Sequence, residues 1–323
     1  NVAGCVESLT SLDYPNFEII VGDDASTDNT NKLLREAINK NQDKAPIKLF
    51  TVPPIENGWT GKTWAVSQLV KEAKGDLILV TDADTRYSPE SLKNSVSHFL
   101  KTKADIMVRF PYPIVKGMGE WPTLFLFFIL RFSSWFSLSL FRQRQAVAKE
   151  ECLMFTKKCY TELGGYESFK SAYPMILAFF NSAFKAGKNV VILDDDNIEI
   201  KASSYDGFKG TTNGILERVN FRHVGAYSFL GIFIAISFAT DSISKILSGI
   251  FAGDSRLLLM GLASYFIFAV IFGVYLAMSR QPVYISIFGP ILGFHLLIVS
   301  LFAIARMAFN KPLHWKGRTV QVQ

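Results

Sequence analysis

A mostly parallel α/β domain followed by an α-helical transmembrane region is the architecture this sequence predicts. Short apolar runs that end in acidic clusters alternate with helix-like stretches over the first half. That is the pattern of a sheet whose ligands sit beyond the carboxyl ends of its strands. The apolar excess of the 323 residues, 49% hydrophobic with 28 Phe and a mean hydropathy of +0.22, is concentrated in the C-terminal third. Residues 257–278 are uncharged and apolar, and 283–305 are interrupted only by Pro290 and His295. Each run is long enough for the ~30 Å of hydrocarbon that about 20 helical residues cross.

The elements follow in chain order. Residues 18–22 (EIIVG) read as a strand running into DDASTDNT and then a polar helix, and 47–52 read as a second strand. A helix over 63–74 is closed by Gly75, and a buried strand over 76–81 runs into Asp82. Ser88-Pro89-Glu90 reads as a helix start, with Ser as N-cap and Pro at the first helical position. Residues 104–110, 152–156, 190–193 and 198–201 complete the strands, with a helix over 172–186. The aromatic stretch 121–141 carries Arg131 at its centre and RQR after it. A mid-span Arg costs ~2.5 kcal/mol or more, so an interfacial amphipathic helix fits better than a span.

Domain organisation follows from these elements. Residues 1–203 form the α/β domain, 204–225 a juxtamembrane linker, 226–305 the membrane region and 306–323 a basic tail. Segment 226–252 has apolar ends but carries Asp241 and Lys245 near its middle, which reads as an interfacial or re-entrant helix pair; the alternative is a third span. Arg306, Lys311, Lys316 and Arg318 place the tail in the cytoplasm by the positive-inside bias. Asn1 stands directly before a helix-like stretch with no signal peptide, so the natural N-terminus is expected upstream.

Composition removes several function classes. The net charge of +6 comes without dense Lys/Arg clusters interleaved with aromatics, which argues against nucleic acid and for a basic membrane protein facing anionic lipid. Cys5, Cys152 and Cys159 are odd in number and lack a CxxC pair, so reduced thiols fit better than disulfides or zinc. His98, His223, His295 and His314 have no metal-ligand spacing, and His295 reads as a hydrogen-bonded interior residue. A transporter is disfavoured because the two spans offer no midplane site beyond His295 and Pro290.

Three motifs carry chemistry. In Asp82-Ala83-Asp84 the two-residue side-chain period puts both carboxylates on one side of an extended segment, where they would hold Mg²⁺ or Mn²⁺ against a diphosphate. The same pattern also occurs as a solvated turn. The carboxylates of VGDDASTDNT stand at a strand end, able to accept from a base or ribose, while Thr27 or Asp28 caps the next helix. GWTGKTWA (58–65) contains GKT, but the phosphate loop requires glycine where Glu56 stands, which removes a nucleoside triphosphatase. Trp59, Trp64 and Trp121 read equally as core or sugar-facing residues.

EIIVGDDASTDNT, GWTGKTWA, the DAD after LILVT, and FTKKCYTELGGYESFK, in this order, resemble the blocks of family 2 glycosyltransferases. More narrowly, the GK-W-A element, the PYP at 111–113 before an aromatic stretch, and the late HWKGRTV are similar to bacterial glycosyltransferases that modify carotenoid or hopanoid lipids. The resemblance implies a GT-A-like nucleotide-sugar-binding fold whose first strand precedes Asn1. It also implies that Asp23 and Asp24 contact the nucleoside, that Lys62 lies near the base or diphosphate, and that Asp84 with Asp82 coordinates Mg²⁺ or Mn²⁺. The implied reaction is inverting transfer from a UDP-linked sugar to a lipid or isoprenoid acceptor, at the cytoplasmic face of the inner membrane.

One departure bears on mechanism. Many members supply the base as an Asp about ten residues after the GG, where this chain has Met175 and Ile176. Glu167, Glu151 and the run 194–196, Asp195 included, are substitutes by composition, and 194–196 also read as a solvated turn. The alternative is a catalytically degenerate relative acting as a membrane scaffold or nucleotide-sugar binder.

Overall fold

The computed structural model describes residues 2–141, 152–170, 172, 175–194, 197–203, 207–218, 226–308, 313–315 and 318–320. Glu151, Asp195, Lys311 and Lys316 lie outside the described residues. The chain divides into two compact units, one of Asn1–Ile114 with Ala148–Ser203 and one of Val115–Val147 with Ser204–Val322.

The first unit contains helices α1 (Val2–Thr10), α2 (Thr30–Asn41), α3 (Gly61–Glu72) and α4 (Ser91–Thr102). Interleaved with them are strands β1 (Ile19–Asp23), β2 (Ile47–Thr51), β3 (Leu77–Thr81), β4 (Thr85–Tyr87), β5 (Ile106–Phe110) and β6 (Tyr112–Pro113). β7 (Cys152–Thr156), α6 (Lys157–Glu162), α7 (Met175–Lys185), β8 (Val190–Asp194) and β9 (Ile200–Ala202) complete it. The central sheet has the order β3-β7-β5-β8, beside a parallel β1-β2 pair and a three-stranded β4-β9-β6 sheet.

The central strands β5 and β7 are covered on both faces and are apolar apart from Arg109 and the terminal Thr156. Met107, Cys152 and Met154 point into one core with Leu92, Phe99 and Ile200. The alternate residue Phe155 enters an aromatic cluster, stacked on Tyr160 at 5.3 Å and edge-on to Phe179 at 5.9 Å. Full burial of such a ring contributes about 3 kcal/mol.

The structure corrects two expectations here. The sheet is mixed: β7 runs antiparallel to both neighbours, β3 and β5, and only β5-β8 is parallel in the central sheet. The βαβ period ends before β7, because the segment preceding it belongs to the other unit and supplies no crossover helix of this domain. Helix α4 begins at Ser91 rather than after Ser88, because the Ser88 N–H donates to Glu199 O and extends the β4-β9 pairing. Pro89 O accepts from Asp13 N–H.

The second unit contains α5 (Trp121–Phe141), α8 (Gly207–Arg218), α9 (Ala226–Ala252), α10 (Ser255–Met278), α11 (Gly289–Ala308) and a short antiparallel pair, β10 (Leu313–Trp315) with β11 (Arg318–Val320). Ser255–Met278 and Val283–Ala305 are long and apolar enough to cross a membrane. Much of α10 is exposed apolar surface, including Leu259, Phe266, Val270 and Val274. Segment 121–141 groups with this unit: Leu124, Phe125, Phe128 and Ile129 are buried, with Phe125 edge-on to Phe272 at 5.4 Å, and Arg131 is exposed.

Segment 226–252 is one continuous helix, not a helix pair. Asp241 and Lys245 are one turn apart and pair at 2.6 Å, so neither charge interrupts it. α9 turns at Gly253 (φ +65°) and runs antiparallel along α10. A Cβ on Gly249 would meet Leu258 N at 2.5 Å, a Cβ on Gly261 would meet Ile246 N at 2.7 Å, and Phe238 packs on Phe268. His295 shares a 3.1 Å hydrogen bond with Thr212, an interior placement, and Trp121 is a core residue.

Candidate functional site

Three segments of the first unit meet at the carboxyl ends of its strands. β1 and β2 are parallel and end in register at Asp23 and Thr51, so their following loops leave from the same edge. α3 lies against β1, with Leu69 packed where a Cβ on Gly22 would stand. The first turn of α3 then reaches the end of β3, where Lys62 Nζ sits 2.8 Å from Asp82 Oδ1.

The loop after β1 is built by Asp23. Its side chain is buried, accepting from Ser26 N–H at 3.2 Å on one oxygen and Asn31 Nδ2 at 2.7 Å on the other, while its carbonyl accepts from Val52 N–H. Burial pushes the Asp23 pKa up, but the Ser26 and Asn31 hydrogen bonds outweigh it and hold the carboxyl below its ordinary value. Each Asp23 oxygen thus accepts one hydrogen bond from its own loop. The adjacent Asp24 is half-buried and is followed by Ala25 at φ +53°, a left-handed conformation that favours glycine. Asp28 accepts from Thr30 N–H at 2.9 Å and caps α2 from one residue outside its N-cap.

The loop after β2 is pinned by tryptophan. Trp64 is buried, its Nε1 donates to Pro53 O at 2.7 Å, and Trp59 packs edge-on against it at 5.3 Å. GKT opens α3 behind the Thr60–Thr63 capping box rather than forming a phosphate loop, which leaves Lys62 half-exposed on the first turn.

Asp82 and Asp84 occupy a tight turn between β3 and β4, closed by Thr85 N–H to Asp82 O at 3.2 Å. The sequence anticipated an extended segment; Asp82 and Asp84 lie instead on a turn, Asp82 half-buried beside Lys62. Cys5 on α1 supports the turn from below, its Sγ 3.6 Å from Asp82 O, and burial pushes this thiol up to about 11. All three cysteines are buried and outside any disulfide, and burial likewise raises Cys159 to about 11. Among the described residues no group of three or more His, Cys, Asp or Glu side chains is placed to hold a metal. Two carboxylates on one turn suit Mg²⁺ or Mn²⁺ nonetheless, because such a cation takes one or two protein carboxylates and completes its octahedron with phosphate oxygens and water.

The remaining acidic candidate lies apart. Glu167 pairs with Lys71 at 3.0 Å, nine residues along α3 from Lys62 and so about 13 Å from that end of the helix. Ile176, at the expected position of the base, is buried in α7. Sequence reasoning missed a buried ion pair beside this region. Arg109 Nη2 contacts Glu199 Oε2 at 2.9 Å and its Nη1 donates to Ser95 Oγ at 2.7 Å, tying β5, α4 and the approach to β9 together. An arginine inside the apolar strand IMVRF was its only signal.

Comparison with known proteins supplies the family and the fold. Residues 1–159 match the model of glycosyl transferase family 2. A stretch of 106 residues is 27% identical to dolichyl N-acetyl-alpha-D-glucosaminyl phosphate 3-beta-D-2,3-diacetamido-2,3-dideoxy-beta-D-glucuronosyltransferase of Methanococcus voltae, covering 32% of this chain and 31% of that protein. Another of 104 residues is 33% identical to beta-monoglucosyldiacylglycerol synthase of Nostoc sp., covering 32% of this chain and 21% of that one. The chain thus spans less than a third of the length of either relative. Among solved structures, the mannosyltransferase PcManGT of Pyrobaculum calidifontis, in complex with GDP-Man and Mn²⁺, is similar in fold with a TM-score of 0.51 at 16% identity, over 96% of this chain and 84% of that one. Residues 1–159 of this chain are accordingly a family 2 glycosyltransferase domain, of GT-A fold.

Proposed function

We propose that the protein is an inverting glycosyltransferase that moves a sugar from a UDP-linked donor to a lipid-like acceptor at the cytoplasmic face of the inner membrane. The observation that carries the reading is the convergence of the Asp24 loop, the α3 N-terminus with Lys62, and the Asp82–Asp84 turn. Support for nucleotide-sugar use comes from the family model, and the relatives' names include a dolichyl-linked compound and a glucosyldiacylglycerol.

In this reading Asp24 contacts the nucleoside from a loop that Asp23 holds in shape. Lys62 and the N-terminal end of α3 face the diphosphate. Asp82 and Asp84 would hold Mg²⁺ or Mn²⁺, which would supply positive charge against the departing nucleoside diphosphate. The acceptor oxygen attacks the anomeric carbon as the bond to the diphosphate breaks, inverting that centre. The proton of a hydroxyl acceptor passes to a carboxylate; Glu167 and Asp195 are the candidates by composition, and Glu167 would have to leave Lys71 to serve, whereas an acceptor carboxylate needs no base at neutral pH.

Membrane attachment is supported by α10 and α11. A 27-residue helix lying antiparallel along α10 fits a third crossing by α9, which would put the basic tail on the side opposite the catalytic domain, against the positive-inside bias that favours two crossings.

The second reading, a degenerate donor-binding relative, is favoured by buried Ile176 at the base position. Transfer of radiolabelled sugar from UDP-sugars to membrane lipid by the full chain, against an Asp84→Ala control, decides between them. Label in the lipid fraction that requires Asp84 supports the enzyme; donor binding without transfer supports the degenerate relative.

A further inference from the structure

We propose that Lys62 is the resident counter-ion of the metal-binding turn, occupying Asp82 before the donor arrives and leaving it for the diphosphate, so that the divalent cation and the nucleotide bind together. The inference rests on the glycosyltransferase reading of this site. It starts from the 2.8 Å contact between Lys62 Nζ and Asp82 Oδ1. A carboxylate oxygen that accepts a charge-assisted hydrogen bond at that distance is a poor ligand for a dication, because the cation would meet an ammonium group within a few ångströms and the two charges repel.

Both partners are placed to separate. Lys62 is 44% exposed and Asp82 27%, so the pair is partly screened and its rupture costs little. Lys62 stands on the first turn of a 12-residue helix whose capping box fixes the backbone, so the long side chain can swing while its Cα stays in place. A diphosphate arriving at that helix end offers the ammonium group a stronger partner than one carboxylate. Transfer of Lys62 to phosphate then frees Asp82 Oδ1 at the moment the cation is needed, and no covalent bond changes. Asp84, on the same turn, is then the second carboxylate that the cation takes.

Manganese binding read by the electron paramagnetic resonance signal of free Mn²⁺ tests this without any turnover, using the full chain in detergent. The parent, Lys62→Met, Lys62→Arg and the double variant Lys62→Met/Asp84→Asn are titrated with Mn²⁺ alone and again with saturating UDP. The expected result is that Lys62→Met binds Mn²⁺ alone about tenfold more tightly than the parent, that Lys62→Arg behaves as the parent, and that UDP raises the parent's Mn²⁺ affinity far more than that of Lys62→Met. Equal or weaker Mn²⁺ binding by Lys62→Met, abolished in the double variant, would overturn the counter-ion role alone. Mn²⁺ binding that the double variant keeps would remove the metal from this turn, and with it both the functional reading of the turn and this inference.

Discussion

Asp23 and Asp24 are neighbours in sequence, and the structure gives them different work. Replacing Asp23 by Ala removes the acceptor for Ser26 N–H and Asn31 Nδ2 from a buried position. Hydrogen bonds to a charged group contribute about 1.5 kcal/mol or more each, and the exposed Ser26 N–H regains water, so the net cost is about 2 kcal/mol. For a unit of this size that lowers the Tm by about 6 °C. Asp24→Ala, in a polar loop at a strand end, shifts the Tm by less than about 2 °C but weakens UDP binding at least tenfold. The folded pKa of Asp23 is lowered, so its contribution to stability is complete above the unfolded value near 3.9 and is lost as pH falls through the folded value. The parent therefore loses stability on acidification over a window in which Asp23→Asn does not. Scanning fluorimetry and calorimetry with UDP in Mn²⁺ read both effects. If Asp23→Ala melts with the parent, or Asp24→Ala melts as low as Asp23→Ala does, the division of labour is wrong.

The buried pair gives a second test: Arg109→Met leaves Glu199 without its guanidinium and costs about 4 kcal/mol in urea unfolding, while Arg109→Met/Glu199→Leu recovers most of it. Equal loss in the single and double variants would mean that the pair does not couple. In the helical unit, Gly261→Val drives a side chain onto Ile246 N and lowers the Tm in detergent, whereas Gly210→Ala, with open space around its Cβ, is neutral or stabilising by up to about 1 kcal/mol. The reverse order would refute the α9–α10 packing. With three buried native cysteines as a quiet background, Ala252→Cys in sealed inverted vesicles reports the α9–α10 turn. A third crossing predicts that an impermeant maleimide labels it only after the vesicles are opened, and labelling of intact vesicles would restore the two-crossing topology.

Much of this fold was legible because its signals are local. Strands that end in acidic clusters, a run such as LILVT and two long apolar segments follow from period and composition, and the order of the motif blocks supplied the family. The mixed sheet was not legible, since β7 pairs with strands some 50 to 75 residues away and nothing within CLMFT records its direction. The early start assigned to α4 failed for a similar reason: Ser88 looks like an N-cap locally, yet its N–H is claimed by Glu199, 111 residues later. In the site, the acidic loops and Lys62 could be named from the motifs. The commitment of Asp23 to its own loop, the Lys62–Asp82 contact and the pairing of Glu167 with Lys71 required coordinates. The break feared at Asp241 and Lys245 in α9 did not occur, because a four-residue spacing lets the charges satisfy each other on one helix face.

The central claim is that the Asp82–Asp84 turn binds a nucleoside diphosphate through a divalent cation, and isothermal calorimetry of UDP with the full chain measures it most directly. The account predicts a single binding event in Mn²⁺ that disappears in EDTA and in Asp84→Ala, because bare carboxylates and a diphosphate repel each other. Undiminished UDP binding in EDTA, or by Asp84→Ala in Mn²⁺, would contradict it.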